Sequence, residues 1–403
     1  MVFRIQWLSS SARFFESRNN SDHAPLAVWL NGGPGGSSGI GLLMENGPCT
    51  IQSGGNHTTR NPYSWNEVAN MIYLDQPAGV GYSISTSVNP VGSTEGAAHD
   101  FYAFTQLFMS RFPKYSGLPF HIMGESHGGQ FVPTFAAYVN RKNKAHLVNP
   151  DKQHTPIKLE SIILSNGMMS AAIQSATSPE YTCRGPYAFW DDKSEQCALL
   201  HSRIPILARV MQECRDFRTP LTCVPAGIYA LTAFEYGFKD TGLNVYDLSC
   251  YEQIDWIRKY LNRPEVKGIL GVPLDHDYSL IGWEVNRAFM RAGDVTNDVS
   301  PAVSELANSG IRILNVAGDA DFVCNFIGAL EWMKQLETPY KDELQTLDNT
   351  IWKNSQGEPI GEARAAGSNG GATAGKFTWL RVYEAGHMVP HDQPKPALEF
   401  FSR

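Results

Sequence analysis

A short apolar run that leads into Gly-x-Ser-x-Gly is the feature that most constrains the fold of this chain. Residues 120–123 form the apolar run, Gly124-Glu125-Ser126-His127-Gly128 follows it, and a helix-compatible stretch occupies residues 131–139. The glycines on both sides of the serine allow a sharp turn that lifts the hydroxyl clear of a sheet. A strand, a tight turn and a helix in this order form the context of a nucleophile elbow. The five-residue pattern alone is common, so the rest of the chain must supply an oxyanion hole, an acid and a base.

A glycine-rich stretch supplies the candidate oxyanion hole. The apolar run at residues 26–30 ends in Asn31-Gly32-Gly33-Pro34-Gly35-Gly36, and backbone N–H groups approach a ligand closely where side chains are absent. One donor normally comes from such a loop and the other from the residue after the nucleophile. We predict that the N–H groups of Gly33 and His127 form the hole. A phosphate-binding loop is the alternative, but no Lys follows these glycines as that loop requires.

Candidate acid and base residues follow further along the chain, each after a strand-like run. Residues 311–316 precede Asp319 and Asp321, and residues 377–383 precede His387. A serine hydroxyl needs an imidazole to take its proton and a carboxylate to orient that imidazole. The order serine, aspartate, histidine is that of the α/β-hydrolase fold, and ligands bind beyond the carboxyl ends of parallel strands. These arguments leave the choice between Asp319 and Asp321 open.

The predicted fold class is α/β, with the α/β-hydrolase architecture of a central, mostly parallel sheet flanked by helices. We expect one domain over residues 1–403, with a largely helical, disulfide-bearing cap inserted at residues 168–298. Strands are predicted at residues 27–30, 71–74, 120–123, 162–164, 311–316 and 377–383, and helices at residues 97–112, 131–139 and 325–336. The small-residue segment 366–375 is predicted to be a surface loop.

Five ordered motifs together resemble the serine carboxypeptidases, and the sequence between them is most similar to fungal members of the carboxypeptidase Y type. The motifs are NGGPG at residues 31–35, DQPAGVGYS at 75–83, GESHGG at 124–129, GDAD at 318–321 and GHMVP at 386–390. The resemblance runs from about residue 14 to the C-terminus. It implies a catalytic triad of Ser126, Asp321 and His387. It also implies a serine-type carboxypeptidase that releases C-terminal residues through an acyl-enzyme on Ser126, with no metal or organic cofactor.

The resemblance further implies a site for the free α-carboxylate of a peptide. The matching positions are Trp29, Asn31, Gly32, Glu45 and Glu125. Two carboxyl groups beside a substrate carboxylate cannot all be ionised, because like charges raise the pKa of at least one of them. A shared proton turns that repulsion into short hydrogen bonds. We therefore expect peptide binding to weaken as pH rises, with activity favoured on the acidic side.

Other positions match family residues near the substrate subsites, although each of them could equally pack in the core. These subsite candidates are Ile40, Met44, Tyr251, Phe322, Cys324 and Met388. His127 departs from the family pattern, which usually has Tyr after the nucleophile. We expect the ring of His127 to face the pocket for the penultimate side chain and to add pH dependence there.

The chain has seven cysteines, an odd number. The resemblance implies Cys183–Cys197 and Cys214–Cys223 bridges, which leaves Cys49–Cys250, while Cys324 resembles the family's thiol near the active site. Gly36 stands where the family commonly has another Cys. A metal site is the alternative for the cysteine cluster, but neither Cys-x-x-Cys nor His-Glu-x-x-His spacing occurs. The sequons at Asn19 and Asn56 are glycosylation candidates and, with the disulfides, predict a secretory-pathway protein, extracellular or vacuolar.

Charge and hydropathy exclude other partners. A net charge of −7 with a sequence pI ≈ 5.9 argues against nucleic acid or an anionic membrane as a partner. No apolar run of about eighteen residues is present, so no membrane span is predicted. Residues 1–12 lack the features of a signal peptide, and we expect a mature or truncated form. The expected partners are peptide or protein C-termini, and the expected state is a monomer or homodimer.

Three alternative functions remain on the same scaffold. A carboxypeptidase-like acyltransferase would use the same triad but transfer the acyl group to an alcohol. A lipase or esterase is disfavoured because it has no need of Asn31 and Glu125. A catalytically impaired binding protein is disfavoured by the intact Ser126, Asp321 and His387.

Overall fold

The computed structural model describes residues 2–5, 8–85, 89–151, 154–235, 244–246, 251, 253–367 and 375–402. Its strands are β1 (Val2–Ile5), β2 (Leu8–Phe15), β3 (Leu26–Leu30), β4 (Cys49–Ile51), β5 (Thr58–Arg60), β6 (Asn70–Asp75), β7 (Ile84–Ser85), β8 (Phe120–Glu125), β9 (Leu159–Ser165), β10 (Arg312–Gly318), β11 (Thr350–Lys353), β12 (Pro359–Ala366) and β13 (Phe377–Val382). Its α-helices are α1 (Thr94–Arg111), α2 (Gly128–Val148), α3 (Ala171–Ala176), α4 (Ser178–Arg184), α5 (Glu195–Phe217), α6 (Pro220–Ala230), α7 (Gln253–Leu261), α8 (Pro264–Leu270), α9 (Trp283–Ala292), α10 (Ser300–Asn308), α11 (Phe326–Lys334), α12 (Lys341–Thr346), α13 (Val389–Asp392) and α14 (Pro394–Phe401).

One large twisted sheet organises the molecule. Its strand order is β1-β2-β6-β3-β8-β9-β10-β13-β12-β11, with β7 beside β2. The central strands β6, β3, β8, β9, β10 and β13 pair in parallel, which confirms the six predicted strands and the α/β-hydrolase fold class. The two edges are antiparallel, and the pairs β1–β2 and β11–β12 lie outside the sequence prediction.

Side chains that alternate in direction along the parallel strands divide the apolar core into two layers, one on each face of the sheet. Val28 and Ile122 belong to one apolar cluster, in which helices α1 and α2 supply Phe101, Phe131 and Phe135. The intervening residues, such as Trp29 and Met123, belong to a second cluster on the opposite face. Because successive side chains of a strand point to opposite faces, a strand covered on both sides must be apolar throughout. The apolar runs of the sequence predict these strands for that reason.

The chain between β9 and β10 is largely helical and carries two disulfides. They join Cys183 to Cys197 and Cys214 to Cys223, the two pairs that the resemblance implies. Cys49 is a free cysteine at the start of β4, so the expected Cys49–Cys250 bridge is wrong; Cys250 itself lies outside the described residues. That bridge was predicted only because two cysteines remained unassigned, which says nothing about the distance between them. A disulfide requires the two Cα atoms to lie within about 7 Å of each other.

Among the described helices, none is both long and apolar enough to cross a lipid bilayer. The predicted loop at residues 366–375 falls mostly on residues 368–374, which lie outside the described residues.

Candidate active site

Ser126 occupies a strained turn between β8 and α2. Its φ angle is 61°, a left-handed conformation that favours glycine and costs a non-glycine residue of order 1–3 kcal/mol. Its backbone N–H lies 3.2 Å from the carbonyl oxygen of Ser165 and 3.1 Å from that of Asn166, at the carboxyl end of β9. A Cβ atom at Gly124 or Gly128 would lie 2.8 or 2.9 Å from the Leu30 carbonyl oxygen. The turn therefore requires glycines because β3 ends directly against it.

Asp321 and His387 form a buried hydrogen-bonded pair. His387 Nδ1 lies 2.6 Å from Asp321 Oδ2, and the two side chains are almost completely buried. Asn166 Nδ2 donates to the same carboxylate oxygen at 2.7 Å, and the backbone N–H of Val323 donates to Oδ1 at 3.0 Å. An acceptor held in this way fixes the imidazole with its proton on Nδ1, which leaves Nε2 for proton transfer.

Asp319 has a different set of partners. Its carboxylate accepts from Arg381 Nη2 at 3.0 Å, from the Tyr187 hydroxyl at 3.1 Å and from the Glu384 N–H at 2.9 Å. These bonds hold together the loops that follow β10 and β13. The structure thus places Asp321, and not Asp319, against the imidazole of His387.

Ser126 is partly exposed, and its hydroxyl forms no hydrogen bond with a described residue. Asn166 links the backbone of Ser126 to the Asp321–His387 pair. The backbone carbonyl of Asn166 accepts from the Ser126 N–H, and its side-chain amide donates to Asp321. In proteins without bound substrate, hydrogen bonds between a nucleophile and its base are often long and tighten when substrate binds.

The glycine loop lies directly against the elbow. A Cβ atom at Gly32 would lie 2.5 Å from the His127 nitrogen and 2.7 Å from Ser126 Cβ. Gly33 has a φ angle of 116°, another conformation that suits glycine. Among the described acceptors, none receives a hydrogen bond from the N–H of Gly33 or of His127. Two unused donors beside the nucleophile are what an oxyanion hole requires.

A buried ion pair supports the far end of the glycine loop. Arg13 Nη1 lies 2.6 Å from Asp75 Oδ2, and the Ser37 hydroxyl donates to the other oxygen of Asp75. The hydroxyl of Tyr278, a residue between β9 and β10, donates to Ser37 Oγ at 2.7 Å. The motif around Asp75 therefore anchors the loop, a role that the sequence analysis did not foresee.

The ring of His127 is buried among aromatic residues. It makes edge-on contacts with Phe131 and Phe289, with ring centroids 4.7 and 5.7 Å apart. Burial lowers the pKa of His127 to about 3, so the ring remains neutral over the pH range of peptide hydrolysis. The expectation that His127 adds pH dependence is therefore wrong, because Phe289 packs on it from a distant part of the chain and excludes water.

Asn31 gathers two carboxyl groups beside the elbow. Its Nδ2 donates to Glu45 Oε1 at 3.0 Å and to Glu125 Oε1 at 3.3 Å. Its own Oδ1 accepts from Trp29 Nε1 and from the Gly41 N–H, each at 2.9 Å. The Oε2 atoms of Glu45 and Glu125 are buried and accept no hydrogen bond from a described N–H group. The two side chains are hydrogen-bonded to each other, so the cluster links two buried carboxyl groups beside Ser126.

The pKa values of both glutamates are raised. Burial, followed by the neighbouring charge of Glu45, raises the pKa of Glu125 well above its usual value. Burial also raises the pKa of Glu45, against the hydrogen bonds from Glu125 and Asn31. Because both pKa values move upward, the pair retains a proton well above the pH at which an exposed glutamate loses it.

Most of the chain is similar to one known protein family. The family described as serine carboxypeptidase matches residues 13–403. The chain belongs to the serine carboxypeptidase family. This carboxypeptidase is 36% identical over 400 residues to carboxypeptidase Y homolog A of Leptosphaeria maculans, with 97% of this chain and 69% of that protein covered. It is 36% identical over 403 residues to carboxypeptidase Y of Candida albicans, with the same coverage.

A solved structure shares the fold of this chain. The crystal structure of a prohormone-processing carboxypeptidase from Saccharomyces cerevisiae superposes with a TM-score of 0.79 at 22% sequence identity, covering 98% of this chain and 86% of that one. That likeness shows the α/β-hydrolase fold. The family match and the relatives give the activity class, a serine-type carboxypeptidase and therefore a hydrolase.

The predicted subsite residues of the carboxypeptidase are mostly buried. Met44 and Met388 are 2% and 7% exposed, and both lie in the apolar cluster on the Trp29 face, which also contains Ile40. The Tyr251 hydroxyl lies 3.1 Å from Asp392 Oδ2 and 3.2 Å from the Met388 nitrogen, a bridge between the cap and the loop after His387. The remaining two candidates are also buried: Phe322 and Cys324.

Three residues around the catalytic pair could hold a metal ion. Ligand atoms of Asp321, Cys324 and His387 all lie within 4.8 Å of one another. A metal on His387 would occupy the imidazole that serine activation requires, so the geometry fits a proton-transfer role better than a ligand role. The glycosylation candidates Asn19 and Asn56 are both exposed.

Sequence reasoning missed three residues of the carboxypeptidase site. Asn166 follows β9 in the same way that Asp321 follows β10, so the position of polar residues after strands could have found it. The Tyr246 carbonyl accepts from the His387 N–H at 2.8 Å, and its ring centroid lies 5.1 Å from that imidazole. His391 lies among the subsite candidates. The last two depend on distant segments meeting, which no local pattern reports.

Proposed function

We propose that this carboxypeptidase removes single residues from the C-termini of peptides and proteins through an acyl-enzyme on Ser126. The observation that carries the proposal is the cluster in which Asn31 binds both Glu45 and Glu125 beside the nucleophile. A protonated carboxyl and an amide nitrogen can both donate to a substrate α-carboxylate. An esterase has no use for such a buried, proton-sharing pair.

Acylation begins when the Ser126 oxygen attacks the scissile carbonyl carbon and its proton moves to His387 Nε2. Asp321 stabilises the resulting imidazolium through the Nδ1 hydrogen bond. The N–H groups of Gly33 and His127 stabilise the oxygen that becomes negative. The carbon–nitrogen bond then breaks, His387 gives its proton to the leaving amine, and the C-terminal residue departs as a free amino acid.

Deacylation repeats these steps with water as the nucleophile. His387 takes a proton from water, the hydroxide adds to the ester carbonyl, and the Gly33 and His127 donors again bind the negative oxygen. The carbon–oxygen bond to Ser126 breaks, and the serine oxygen recovers the proton from His387. The shortened peptide leaves with a new α-carboxylate.

Two titrating sites limit the active pH range: His387 must have lost its proton, whereas the Glu45–Glu125 pair must have kept one. Burial opposes a charge on His387, but the adjacent Asp321 carboxylate outweighs it and raises the pKa of His387. The free enzyme must have this imidazole neutral, so activity rises as pH rises through that pKa. The Glu45–Glu125 pair must keep its proton, so peptide binding falls at higher pH. The pH optimum for a peptide with a free C-terminal acid should therefore lie below the pH optimum for a substrate without a free carboxylate.

The proposed setting is the secretory pathway, with the protein acting outside the cell or in a vacuole. Two disulfides persist in oxidising compartments and are rare in the cytosol. Exposed sequons at Asn19 and Asn56 agree with that setting.

The test compares a blocked dipeptide that has a free C-terminal acid with the same dipeptide as its amide, at acidic pH. We expect cleavage of the acid to exceed that of the amide by at least about tenfold, because the amide cannot bind the Glu45–Glu125 pair as an anion. Ser126→Ala should cleave neither substrate. Equal rates for acid and amide would contradict the carboxypeptidase proposal, and transfer of the acyl group to an added alcohol in preference to water would favour the acyltransferase.

A further inference from the structure

The loop that carries Gly33 is held from outside by the segment that leads into α9. Gly36 pairs with Ile281 in an antiparallel bridge. The Gly282 N–H donates to the Gly35 carbonyl at 2.8 Å, and a Cβ atom at Gly35 would lie only 2.9 Å from the Gly282 carbonyl oxygen. The glycine loop therefore lies directly on the start of α9, without room for a side chain between them.

This contact constrains the direction of the Gly33 N–H. The Gly36 N–H donates to the Gly32 carbonyl at 2.8 Å. The Gly32 carbonyl and the Gly33 N–H belong to one trans peptide unit, which is planar, so they point in opposite directions. The hydrogen bond from Gly36, a residue paired with Ile281, therefore orients the peptide unit whose N–H is a proposed oxyanion donor.

Asn286 in the first turn of α9 binds the residue next to Gly33. Its side-chain Nδ2 donates to the Pro34 carbonyl at 2.9 Å. Among the described residues, no other group donates to that carbonyl. The backbone N–H of Asn286 donates to the Gly282 carbonyl at 2.8 Å, so its backbone is joined to the same residue that binds the loop.

One turn further along, α9 contacts the residue that carries the other proposed donor. Phe289 is completely buried, and its ring lies edge-on to that of His127, with the centroids 5.7 Å apart. Residues three positions apart lie on the same side of a helix. One side of α9 thus contacts both halves of the proposed oxyanion hole, through Asn286 at Pro34 and through Phe289 at His127.

We propose that Asn286 is a positioning residue for the oxyanion hole. Its hydrogen bond to Pro34 holds the glycine loop on α9, and Phe289 holds His127 on the same helix, so the spacing of the two N–H donors depends on one rigid element. Without the Asn286 amide, the Gly33 N–H loses part of its alignment with the oxygen that becomes negative, which weakens binding of the transition state more than binding of the substrate. The inference rests on the proposed acyl-enzyme mechanism, which supplies that oxygen.

The first measurement compares a peptide aldehyde with the corresponding alcohol as inhibitors of the wild type and Asn286→Leu. The Ser126 oxygen adds to the aldehyde carbon and its proton moves to His387, which leaves a negative oxygen in the hole. The alcohol forms no such adduct and reports on peptide binding alone. We expect Asn286→Leu to weaken aldehyde binding, and to lower kcat/KM for a free-acid peptide, about tenfold each, which is less than the loss of a whole oxyanion donor. Alcohol binding should not change.

The second measurement uses Asn286→Asp, in which donation to Pro34 depends on pH. A protonated carboxyl can donate to the Pro34 carbonyl, whereas an ionised carboxylate only accepts. The ratio of kcat/KM in this variant to that in the wild type should therefore rise toward one as the pH falls toward about 4, where an ordinary Asp gains its proton. The same ratio for Asn286→Leu should remain about one tenth at every pH.

Arg287→Gln is the matched control. Arg287 is exposed at the next position of α9, and this change alters the net charge by the same amount as an ionised Asp in place of Asn286. Its kcat/KM and its aldehyde binding should equal those of the wild type at every pH.

Four results would overturn the inference while leaving the carboxypeptidase proposal intact. They are wild-type aldehyde binding in Asn286→Leu, an equal loss of alcohol binding in that variant, a ratio for Asn286→Asp that does not change with pH, and an equal loss in Arg287→Gln. If the wild type neither cleaves the free-acid peptide nor binds the aldehyde more tightly than the alcohol, the proposed function fails and the inference fails with it.

Discussion

At the scale of single residues, two aspartates two positions apart take different partners. Asp321 binds His387 and Asn166, whereas Asp319 binds Arg381 and neighbouring loop atoms. The residues alone left this choice open, because both positions follow β10. The geometry separates a residue that holds the imidazole of His387 from a residue that holds two loops together.

Replacing each aspartate by asparagine distinguishes the two roles. Asp321→Asn should lower kcat about 10⁴-fold, because an amide cannot orient and stabilise the imidazolium as a carboxylate does. Asp319→Asn should keep most of kcat but lower the free energy of unfolding by about 1–3 kcal/mol, because Arg381 keeps only Glu362 as an ionic partner. Steady-state kinetics and denaturant unfolding of both variants measure these effects. A larger loss of kcat in Asp319→Asn would reverse the assignment.

The shared proton of the carboxylate site gives a pH prediction. In wild type, kcat/KM for a free-acid peptide should fall on the alkaline side as the Glu45–Glu125 pair, whose pKa values are raised, loses its proton. Glu125→Gln keeps a donor that does not titrate, so its alkaline limb should move to higher pH. The rate against pH for the peptide acid, with the peptide amide as control, measures the shift. An alkaline limb at the wild-type position in Glu125→Gln would contradict the shared proton.

The ring of His127 illustrates what local sequence cannot predict. Its place after the nucleophile was clear from the motif, and its N–H does lie beside the glycine loop. Its burial depends on Phe289 in α9, more than a hundred residues away. A short motif specifies the backbone of the site but carries no information about which distant ring packs on a side chain.

At the scale of elements, the loop after β3 and the elbow after β8 are built to touch. The two strands are parallel neighbours, with Leu30 opposite Gly124, so their ends lie side by side. The apolar runs and the glycines made both elements predictable. The antiparallel edges were not predictable, because β2 contains a run of polar residues and forms through its pairing with β6.

Gly32→Ala tests the contact between the loop and the elbow. The new Cβ atom would lie 2.5 Å from the His127 nitrogen, a backbone atom of the proposed oxyanion hole. We expect kcat to fall at least about 10²-fold, the value of one oxyanion donor, with a stability loss of about 1–3 kcal/mol. Gly117→Ala is the control, since a Cβ atom there meets nothing within 4 Å. Similar kinetics for both variants would argue against the close contact.

At the scale of the whole molecule, the parallel sheet brings together groups from strand ends that are far apart in sequence. Ser126, Asp321 and His387 follow β8, β10 and β13, and Asn166 after β9 lies between them. The sequence predicted that these three residues each follow a strand of one parallel sheet, and the strand order agrees with that prediction. The partners that the helical segment adds, among them Tyr246 and Tyr278, follow only from the folded structure.

The two disulfides should stabilise the helical segment between β9 and β10. Removing the Cys183–Cys197 bridge with Cys183→Ser should lower stability by about 2–5 kcal/mol, because the unfolded chain regains conformational freedom. Cys49→Ser is the matched control and should leave the melting temperature unchanged, because Cys49 is a free cysteine. Thermal unfolding of the two variants makes the comparison. An equal loss of Tm in Cys49→Ser would show that Cys49 is bridged after all.

Covalent trapping of Ser126 shows whether this serine is the nucleophile and whether His387 activates it. The protein is incubated with a fluorophosphonate, digested and analysed by mass spectrometry, beside Ser126→Ala and His387→Ala. We expect a single adduct on the peptide that contains Ser126, no adduct in Ser126→Ala, and labelling at least about 10³-fold slower in His387→Ala, because the hydroxyl loses its base. Labelling of Ser126 at the wild-type rate in His387→Ala, or undiminished peptide hydrolysis by Ser126→Ala, would rule out this serine mechanism.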